Sequence, residues 1–202
     1  MARVRPIVGI TGGIGSGKTF ICELFKELGI AIFNSDQQAG WLMENNKQLI
    51  HEIKQLFGEK AYLENKKLNK AHIAQIVFNN KEMLTSLNLI VHPFVFKHFD
   101  LWYSQQESAY VIKESALLIE TMASQKVDEL IYVYADTELR IQRAMHRDNK
   151  SREQIEARIN KQKSDSEYRV LADFIIDNSG IESVIQQVYS VHQTIMKKYN
   201  LV

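Results

Sequence analysis

Cysteine, proline and long apolar runs are scarce in this 202-residue chain. Its one cysteine, Cys22, excludes an intrachain disulfide and lies inside a helical pattern that predicts a packed thiol. No apolar run reaches the roughly 18 residues of a membrane-spanning helix. The formal net charge of +1 gives no overall reason to expect nucleic acid or an acidic membrane as a partner. The composition therefore predicts a globular protein of the cytoplasm.

The chain does contain a glycine-rich segment, Gly12–Thr19, that fits the pattern G-x-x-x-x-G-K-[ST]. Glycines let the backbone take positive φ values and turn its N–H groups inward around an anion. In this pattern Lys18 reaches the β- and γ-phosphates of a nucleotide, and the Thr19 hydroxyl ligates Mg²⁺. An apolar run, Ile7–Ile10, precedes the segment and a helical stripe over residues 20–28 follows it. This order predicts a phosphate-binding loop for a nucleoside triphosphate.

Apolar segments along the chain alternate between strand and helix patterns. The strand patterns are Ile7–Ile10, Ile30–Phe33, Tyr110–Ile112, Leu130–Tyr134 and Phe174–Ile176. Helical patterns occupy residues 20–28, most of 37–106, and 182–198. Because strands alternate with helices, we predict a doubly wound parallel sheet of five strands of the P-loop NTPase type, covered by helices on both faces.

Two segments stand outside this alternation. The helical patterns between the second and third strands are too long for one crossover, which predicts a helical substrate-binding insert over residues 37–107. Residues 140–169 carry nine Lys and Arg against five Asp and Glu, in two helical arms joined by a turn. This charge is typical either of a solvated hairpin or of a lid that closes over the nucleotide. The predicted nucleotide-binding core of this single unit comprises residues 1–36, 108–139 and 170–202.

Arginines in the basic segment favour the lid interpretation. Arg143 and Arg147 are one helical turn apart, so both can face one ligand. A polyphosphate held on backbone N–H groups retains uncompensated charge, and arginines offer bidentate contacts to it. We therefore predict that a lid carrying both arginines closes on the phosphates and excludes water.

Asp36 follows directly after the second predicted strand. In doubly wound folds, ligands bind beyond the carboxyl ends of the strands. A carboxylate at that edge can take the proton of an acceptor hydroxyl during phosphoryl transfer. The competing interpretation is that Asp36 caps the next helix. We predict that Asp36 is the catalytic base.

The phosphate-binding loop alone does not separate kinases from other nucleotide-binding proteins. The base-specifying N-K-x-D motif of GTPases is absent; the Asn-Lys pairs at Asn69 and Asn160, for example, lack Asp at the fourth position. An LSGGQ motif of transporter ATPases is also absent. A small-molecule kinase is the favoured class. Two alternatives stay open, namely a nucleoside or nucleotide kinase with the same core and a regulatory nucleotide-binding switch without an acceptor.

Shorter motifs along the whole chain resemble those of the dephospho-CoA kinase family. In order, they are the loop, an acid after the second strand, Leu87-Asn-Leu-Ile-Val-His92-Pro93, Leu117–Glu120, Arg143–Asp148, Arg158 with Gln162, and Ala172–Gly180. The resemblance implies ATP-dependent phosphorylation of the ribose 3′-hydroxyl of dephospho-CoA, the last step of coenzyme A synthesis, with Mg²⁺. It also implies a core resembling nucleoside monophosphate kinases, a helical substrate domain and a lid. The expected assembly is a monomer or a weak homo-oligomer.

The same resemblance implies roles for individual residues. The phosphates of ATP are expected on Gly13, Ile14, Gly15, Ser16, Gly17, Lys18 and Thr19. Asp36 is expected to be the base, and Arg143 and Arg147 to contact the transferring phosphate. Lys18 acts with them in catalysis.

Further residues are implied for the adenine and for the acceptor. Asn178 to Gly180 are expected to line the adenine pocket, with Arg140 stacking over the base. His92 and Pro93 are expected to border the acceptor site. A competing interpretation is that Pro93 occupies the first turn of a helix beside a core-packed His92.

The chain departs from the usual family pattern at several positions. Asn34 replaces the first acid of Asp-Ala-Asp, so Asp36 stands alone. Gly40 occurs where Arg or His is common, and Ala116 replaces the Pro of Pro-Leu-Leu. Glu114 ends the third strand where many relatives carry Asp. It is expected either to bind Mg²⁺ through water or to serve a structural role.

Overall fold

The strands form where short runs of β-branched and aromatic residues occur, since these residues suit a pleated and buried surface. The computed structural model describes residues 5–78, 80–116, 118 and 127–201. Within these residues, five strands form one sheet in the order β2-β3-β1-β4-β5. The strands are β1 (Ile7–Thr11), β2 (Ala31–Asn34), β3 (Val111–Glu114), β4 (Glu129–Tyr134) and β5 (Phe174–Asp177).

The central strand β1 sets the direction of the sheet. It pairs in parallel with β3, where Ile7 aligns with Val111, and with β4, where Val8 aligns with Glu129. β4 in turn pairs in parallel with β5. The prediction of a five-stranded doubly wound parallel sheet is confirmed, and β1 runs at its carboxyl end directly into the glycine-rich loop.

Helices α1 (Lys18–Glu27) and α9 (Val184–Lys198) contact each other and share the main core with the strands. Val8 and Ile10 of β1 are fully buried there, together with Ile21 and Phe25 of α1. Burying such side chains contributes about 1.5–3 kcal/mol each. The loop is therefore held between a buried strand and a buried helix face.

Four helices and one 3₁₀ turn lie between β2 and β3 in the part of the chain that the structure describes. They are α2 (Ser35–Asn45), α3 (Lys47–Phe57), the 3₁₀ turn Glu59–Ala61, α4 (Lys70–Phe78) and α5 (Lys81–Ser104). α5 packs against α2, α3 and α4. Its buried residues Val91, Val95 and Phe99 recur every four positions, as expected of the apolar face of a helix.

Three helices separate β4 from β5. They are α6 (Thr137–Asp148), α7 (Arg152–Ile159) and α8 (Asp165–Leu171). α6 ends at Asn149, which has φ +49°, and Ser151 then begins α7 with a capping box that includes Gln154. The turn predicted between the two basic arms is present, and the capping box begins the second arm.

The chain divides into two compact units, one of Met1–Phe33 with Gln106–Val202 and one of Asn34–Gln105. No helix among the described residues is long and apolar enough to cross a membrane. Of the motif Leu117–Glu120, only Leu118 lies within the described residues.

Candidate active site

The loop between β1 and α1 has the backbone geometry of an anion-binding nest. Gly15 has φ +76° and Gly17 has φ +91°, both in the left-handed region that favours glycine. Gly17 is the N-cap residue of α1 and has no side chain with which to bond the N–H groups of the first turn. Those N–H groups and the positive end of the helix therefore suit an anionic ligand.

Gly13, Gly15 and Gly17 of the loop lie against Arg140 and Asn178, which are distant in sequence. A Cβ on Gly13 would lie 2.0 Å from Nη2 of Arg140, and one on Gly15 would lie 2.2 Å from the backbone oxygen of Arg140. A Cβ on Gly17 would lie 2.2 Å from Nδ2 of Asn178. The structure thus brings Arg140 and Asn178 to the loop, and larger side chains at the three glycines would displace them.

Lys18, the first residue of α1, folds back over the loop. Its Nζ donates to the backbone oxygens of Gly12 (2.7 Å) and Gly13 (3.3 Å). The ammonium group has three donors on a flexible stem, so it can exchange these carbonyls for phosphate oxygens. This placement is compatible with the predicted phosphate contact.

Arg143 and Asn178 meet beside the loop. Nδ2 of Asn178 donates to the backbone oxygen of Ser16 (2.8 Å), and Nη2 of Arg143 donates to the backbone oxygen of Asn178 (3.1 Å). Nη1 of Arg143 and the Ser16 hydroxyl are buried without a hydrogen-bond partner among the described residues. A buried cationic donor without an acceptor is costly, so this geometry fits the approach of a negatively charged group.

Arg140 lies under the loop and is only 4% exposed. Its Nε donates to the backbone oxygen of Ile14 (3.1 Å), and its Nη1 donates to Oδ1 of Asp165 (3.1 Å). These contacts give Arg140 a role in holding the loop. The predicted stacking of its guanidinium on adenine gains no support from them.

Arg147 is exposed near the end of α6 and pairs within its own segment. Its Nε and Nη2 donate to the two carboxylate oxygens of Asp148 (2.7 and 3.2 Å), and Nη1 of Arg158 donates to Oδ2 of Asp148 (2.6 Å). The Arg147 hydrogen bonds, followed by that of Arg158, lower the pKa of Asp148 to about 2. Arg143 and Arg147 thus have different partners in this structure, and their joint contact with one phosphate stays a prediction.

Glu114 ends β3, as predicted, and lies beside Thr19 of α1. Oγ1 of Thr19 donates to Oε1 of Glu114 (3.4 Å), and Glu114 is 5% exposed. A hydroxyl and a carboxylate side by side are the kind of oxygen ligands that Mg²⁺ takes, since it usually keeps several waters and needs only one or two protein ligands. These two residues therefore fit the ion. No group of three or more His, Cys, Asp and Glu side chains suited to a metal occurs within the described parts of the chain.

Cys22 lies on α1 next to this pair and is 2% exposed. Burial, reinforced by the Glu114 carboxylate, raises the pKa of the Cys22 thiol. The thiol therefore stays protonated at neutral pH, in agreement with the predicted packed and unreactive cysteine.

Asp36 lies in the first turn of α2, within the compact unit Asn34–Gln105, and is exposed. The cap of that helix is Asn34, whose Oδ1 accepts a hydrogen bond from the N–H of Gln37 (2.8 Å). The competing interpretation of Asp36 as the helix cap is therefore wrong. The residue that departs from the family pattern, Asn34, performs that function.

His92 and Pro93 lie in the middle of α5 rather than at its start. The interpretation of Pro93 as a first-turn residue is wrong, and Pro93 instead removes one backbone N–H donor from the helix interior. His92 is half-buried, with its ring 5.9 Å from that of Phe96, and burial lowers its pKa. Its role at the acceptor site stays a prediction.

Gly180 and Gln162 both belong to the motifs noted in the sequence. Gly180 has φ +96°, and a Cβ added there would meet nothing within 4 Å, so its backbone conformation alone favours glycine. Gln162, which carries no assigned role in the sequence-based prediction, accepts a hydrogen bond from the N–H of Ile14 (2.9 Å). A single glutamine in a turn has no local pattern that could have revealed this contact.

Fold and site together define the class of this protein. A phosphate-binding loop follows the central strand of a five-stranded parallel sheet, and an arginine-rich helical segment lies between the last two strands. This is the arrangement of a P-loop kinase.

Comparison with known proteins identifies the family. The family model for dephospho-CoA kinase matches residues 6–183. A dephospho-CoA kinase of Bacteroides fragilis is 39% identical over 182 residues, which are 90% of this chain and 88% of the relative. The chain belongs to the dephospho-CoA kinase family. It is therefore an enzyme, a phosphotransferase, as predicted.

The chain is also similar to solved structures over nearly its whole length. The crystal structure of TT1252 from Thermus thermophilus has a TM-score of 0.84 at 30% identity, and the alignment covers 94% of this chain and 97% of the Thermus chain. A dephospho-CoA kinase from Campylobacter jejuni has a TM-score of 0.60 at 26% identity and covers 96% and 99% of the two chains.

Proposed function

We propose that this protein transfers the γ-phosphoryl group of ATP to the ribose 3′-hydroxyl of dephospho-CoA, giving coenzyme A in the final step of its synthesis. The proposal rests on the buried Nη1 of Arg143, which has no hydrogen-bond partner among the described residues and lies beside the phosphate-binding loop. Helix α1, which follows that loop, has no side-chain cap at its start. The chain also belongs to the dephospho-CoA kinase family. Such a site suits a polyphosphate.

On the donor side, the loop N–H groups and Lys18 hold the phosphates of ATP. Arg143, which contacts Asn178 at the loop, turns its Nη1 to the transferring group. Arg147 joins it by leaving Asp148 for the phosphate, whose charge grows during transfer. In this scheme the lid, residues 140–169, closes over the nucleotide while Arg140 and Gln162 stay bonded to Ile14 of the loop.

Asn178 and Gly180 are proposed to border the adenine. Asn178 is 7% exposed and bonded to Ser16, which supports a fixed wall between the loop and the base. Arg140 acts beneath the loop in this scheme, because its guanidinium is engaged by Ile14 and Asp165.

Thr19 and Glu114 are proposed to hold Mg²⁺, the hydroxyl directly and the carboxylate through water. When bound, the ion neutralises charge on the β- and γ-phosphates. The buried position of Glu114 next to Thr19 supports this assignment.

On the acceptor side, Asp36 is proposed to accept the proton of the ribose hydroxyl. Its carboxylate is exposed, and the start of α2 does not need it as a cap, because Asn34 supplies the capping oxygen. The helical insert, residues 37–107, is proposed to bind dephospho-CoA, with His92 and Pro93 at the border of that site.

Loss of either lid arginine should lower kcat more than it raises the KM for ATP. Arg143→Ala and Arg147→Ala are each expected to reduce kcat about 100-fold or more, because their contacts strengthen as charge shifts in the transition state. Steady-state kinetics at varied ATP concentration measures both parameters.

Arg152→Ala is the matched control for these two variants. Arg152 lies in the same segment but pairs with Glu138 and Glu156 on the exposed surface, so kcat should change less than about threefold. An arginine whose loss raises only the KM for ATP and leaves kcat intact would serve ground-state binding, contrary to the proposed role.

The proposed function is tested by measuring ATP consumption with separate acceptors. We expect consumption with dephospho-CoA to exceed by orders of magnitude that with nucleosides, with nucleoside monophosphates or with no acceptor. Preference for a nucleoside or nucleotide would establish the alternative kinase. Slow consumption that no acceptor stimulates would indicate a regulatory switch.

A further inference from the structure

Both peptide groups of Ile14, the third residue of the phosphate-binding loop, are bonded to residues far along the chain. The N–H of Ile14 donates to Oε1 of Gln162 (2.9 Å). The backbone oxygen of Ile14 accepts from Nε of Arg140 (3.1 Å). The loop is therefore fixed at this residue from both sides, by partners more than 120 positions away.

Arg140, the donor to the Ile14 oxygen, is itself held in place by other contacts. Arg140 is 4% exposed, and its Nη1 bonds Oδ1 of Asp165, which also accepts from the Tyr132 hydroxyl (2.5 Å). The Tyr132 ring stacks on Tyr168 with centroids 4.9 Å apart and planes at 10°. Arg140 is buried, and the half-buried Asp165 carboxylate that pairs with it is also held by the Tyr132 hydroxyl, so the guanidinium keeps one geometry and the Ile14 oxygen has a fixed donor.

The Gln162 side comes from a different element. Gln162 lies between the end of α7 at Ile159 and the start of α8 at Asp165, and its own N–H donates to the backbone oxygen of Ile159 (2.9 Å). The turn that carries the Gln162 side chain is thus anchored on α7. Gln162 joins this turn of the basic segment to the loop.

We propose that Gln162 is a positioning residue for phosphoryl transfer. It holds the Ile14 N–H and, with Arg140 on the opposite peptide group, fixes the direction in which the following loop N–H groups point. The proposal rests on the function proposed above. Gln162 touches neither substrate in this scheme and acts only through the loop backbone.

The chemical reason is the cost of an unpaired donor. Without the Gln162 oxygen, the Ile14 N–H must find water, and the peptide between Gly13 and Ile14 gains freedom to rotate. Aligned loop donors matter most for the transferring group, since a misplacement of about 1 Å can cost roughly 100-fold in rate. The loss should therefore fall mainly on kcat.

Gln162→Met keeps the length of the side chain but removes the acceptor oxygen. We expect kcat to fall about 10- to 100-fold, the KM for ATP to rise less than this, and the KM for dephospho-CoA to stay within about threefold. Gln162→Asn, shorter by one methylene and fully polar, should show the same pattern with little risk to folding.

Gln154→Met is the matched control. The Gln154 side-chain oxygen also accepts a hydrogen bond from a backbone N–H, that of Ser151 (3.3 Å). This bond belongs to the capping box of α7 and does not involve the phosphate-binding loop. This variant should loosen the start of α7 and leave kcat within about twofold.

Amide hydrogen exchange at Ile14 tests the proposed route directly. In the wild-type protein the Ile14 amide should be protected, and in both Gln162 variants its exchange should speed up at least tenfold while core amides keep their rates. Fast exchange of Ile14 in the wild type, or variants with wild-type kcat, would overturn the proposal. So would a fall in kcat with unchanged Ile14 exchange. A wild-type protein that is inactive toward dephospho-CoA but protects Ile14 would instead refute the proposed function.

Discussion

Replacing Lys18 by alanine should lower kcat by about three orders of magnitude or more. The ammonium group is expected to lie between the β- and γ-phosphates, where negative charge shifts during transfer. In the structure its Nζ already lies at the loop, on the backbone oxygens of Gly12 and Gly13. No other residue of the loop sequence can replace this cation, because the remaining loop residues are Gly, Ile, Ser and Thr.

The fold should survive this change. The two hydrogen bonds of Lys18 to the loop contribute about 0.5–1.5 kcal/mol each, a minor part of the roughly 5–15 kcal/mol that stabilises a domain. Thermal unfolding checks this expectation. Lys26→Ala is the matched control on the same helix, since Lys26 pairs with Glu23 on the surface and should have wild-type kinetics. A Lys18→Ala enzyme with near-normal kcat would refute the placement of ATP on this loop.

Asp36→Asn should reduce phosphoryl transfer by about 10²–10⁴-fold, the range usual for a general base. The amide keeps the size of the carboxylate and much of its hydrogen bonding, but it cannot accept the proton of the ribose hydroxyl. Binding of ATP, measured by calorimetry, should change little. Asn34 supplies no second carboxylate, so no neighbouring acid in the first turn of α2 can take over.

A purely structural role for Asp36 predicts a different result. An acid in the first turn of a helix contributes about 0.3–1 kcal/mol through the helix dipole, which would appear as a small loss of stability with nearly normal kcat. Asp100→Asn makes the same chemical change at an exposed position of α5 and should change neither the stability nor kcat. More than about a tenth of the wild-type rate in Asp36→Asn would be too mild an effect for a general base.

Features that depend on local pattern could be predicted from the sequence. The loop carries its own signature from Gly12 to Thr19, and the five strands are short apolar runs bounded by polar residues. The turn at Asn149 and the capping box at Ser151 are likewise local. Each of these arises from residues within one or two turns of the chain, so spacing alone reveals it.

Features that depend on distant contacts could not be predicted. The resemblance implies that Arg140 stacks over the adenine base, but in the structure it lies buried beneath the loop, where Ile14 and Asp165 both bond its guanidinium. Pro93 looks like a helix start, yet it lies within α5, where the 24-residue helix continues through the missing donor. Gln162 reaches the loop over a separation of 148 positions, which no periodicity encodes.

The reaction is tested by identifying the product that the purified chain forms from ATP and dephospho-CoA. We expect ADP and coenzyme A in equal amounts, with the new phosphate on the ribose 3′ oxygen as located by phosphorus–proton coupling in nuclear magnetic resonance spectra. Dephospho-CoA recovered unchanged, or phosphate on any other oxygen, would contradict this expectation.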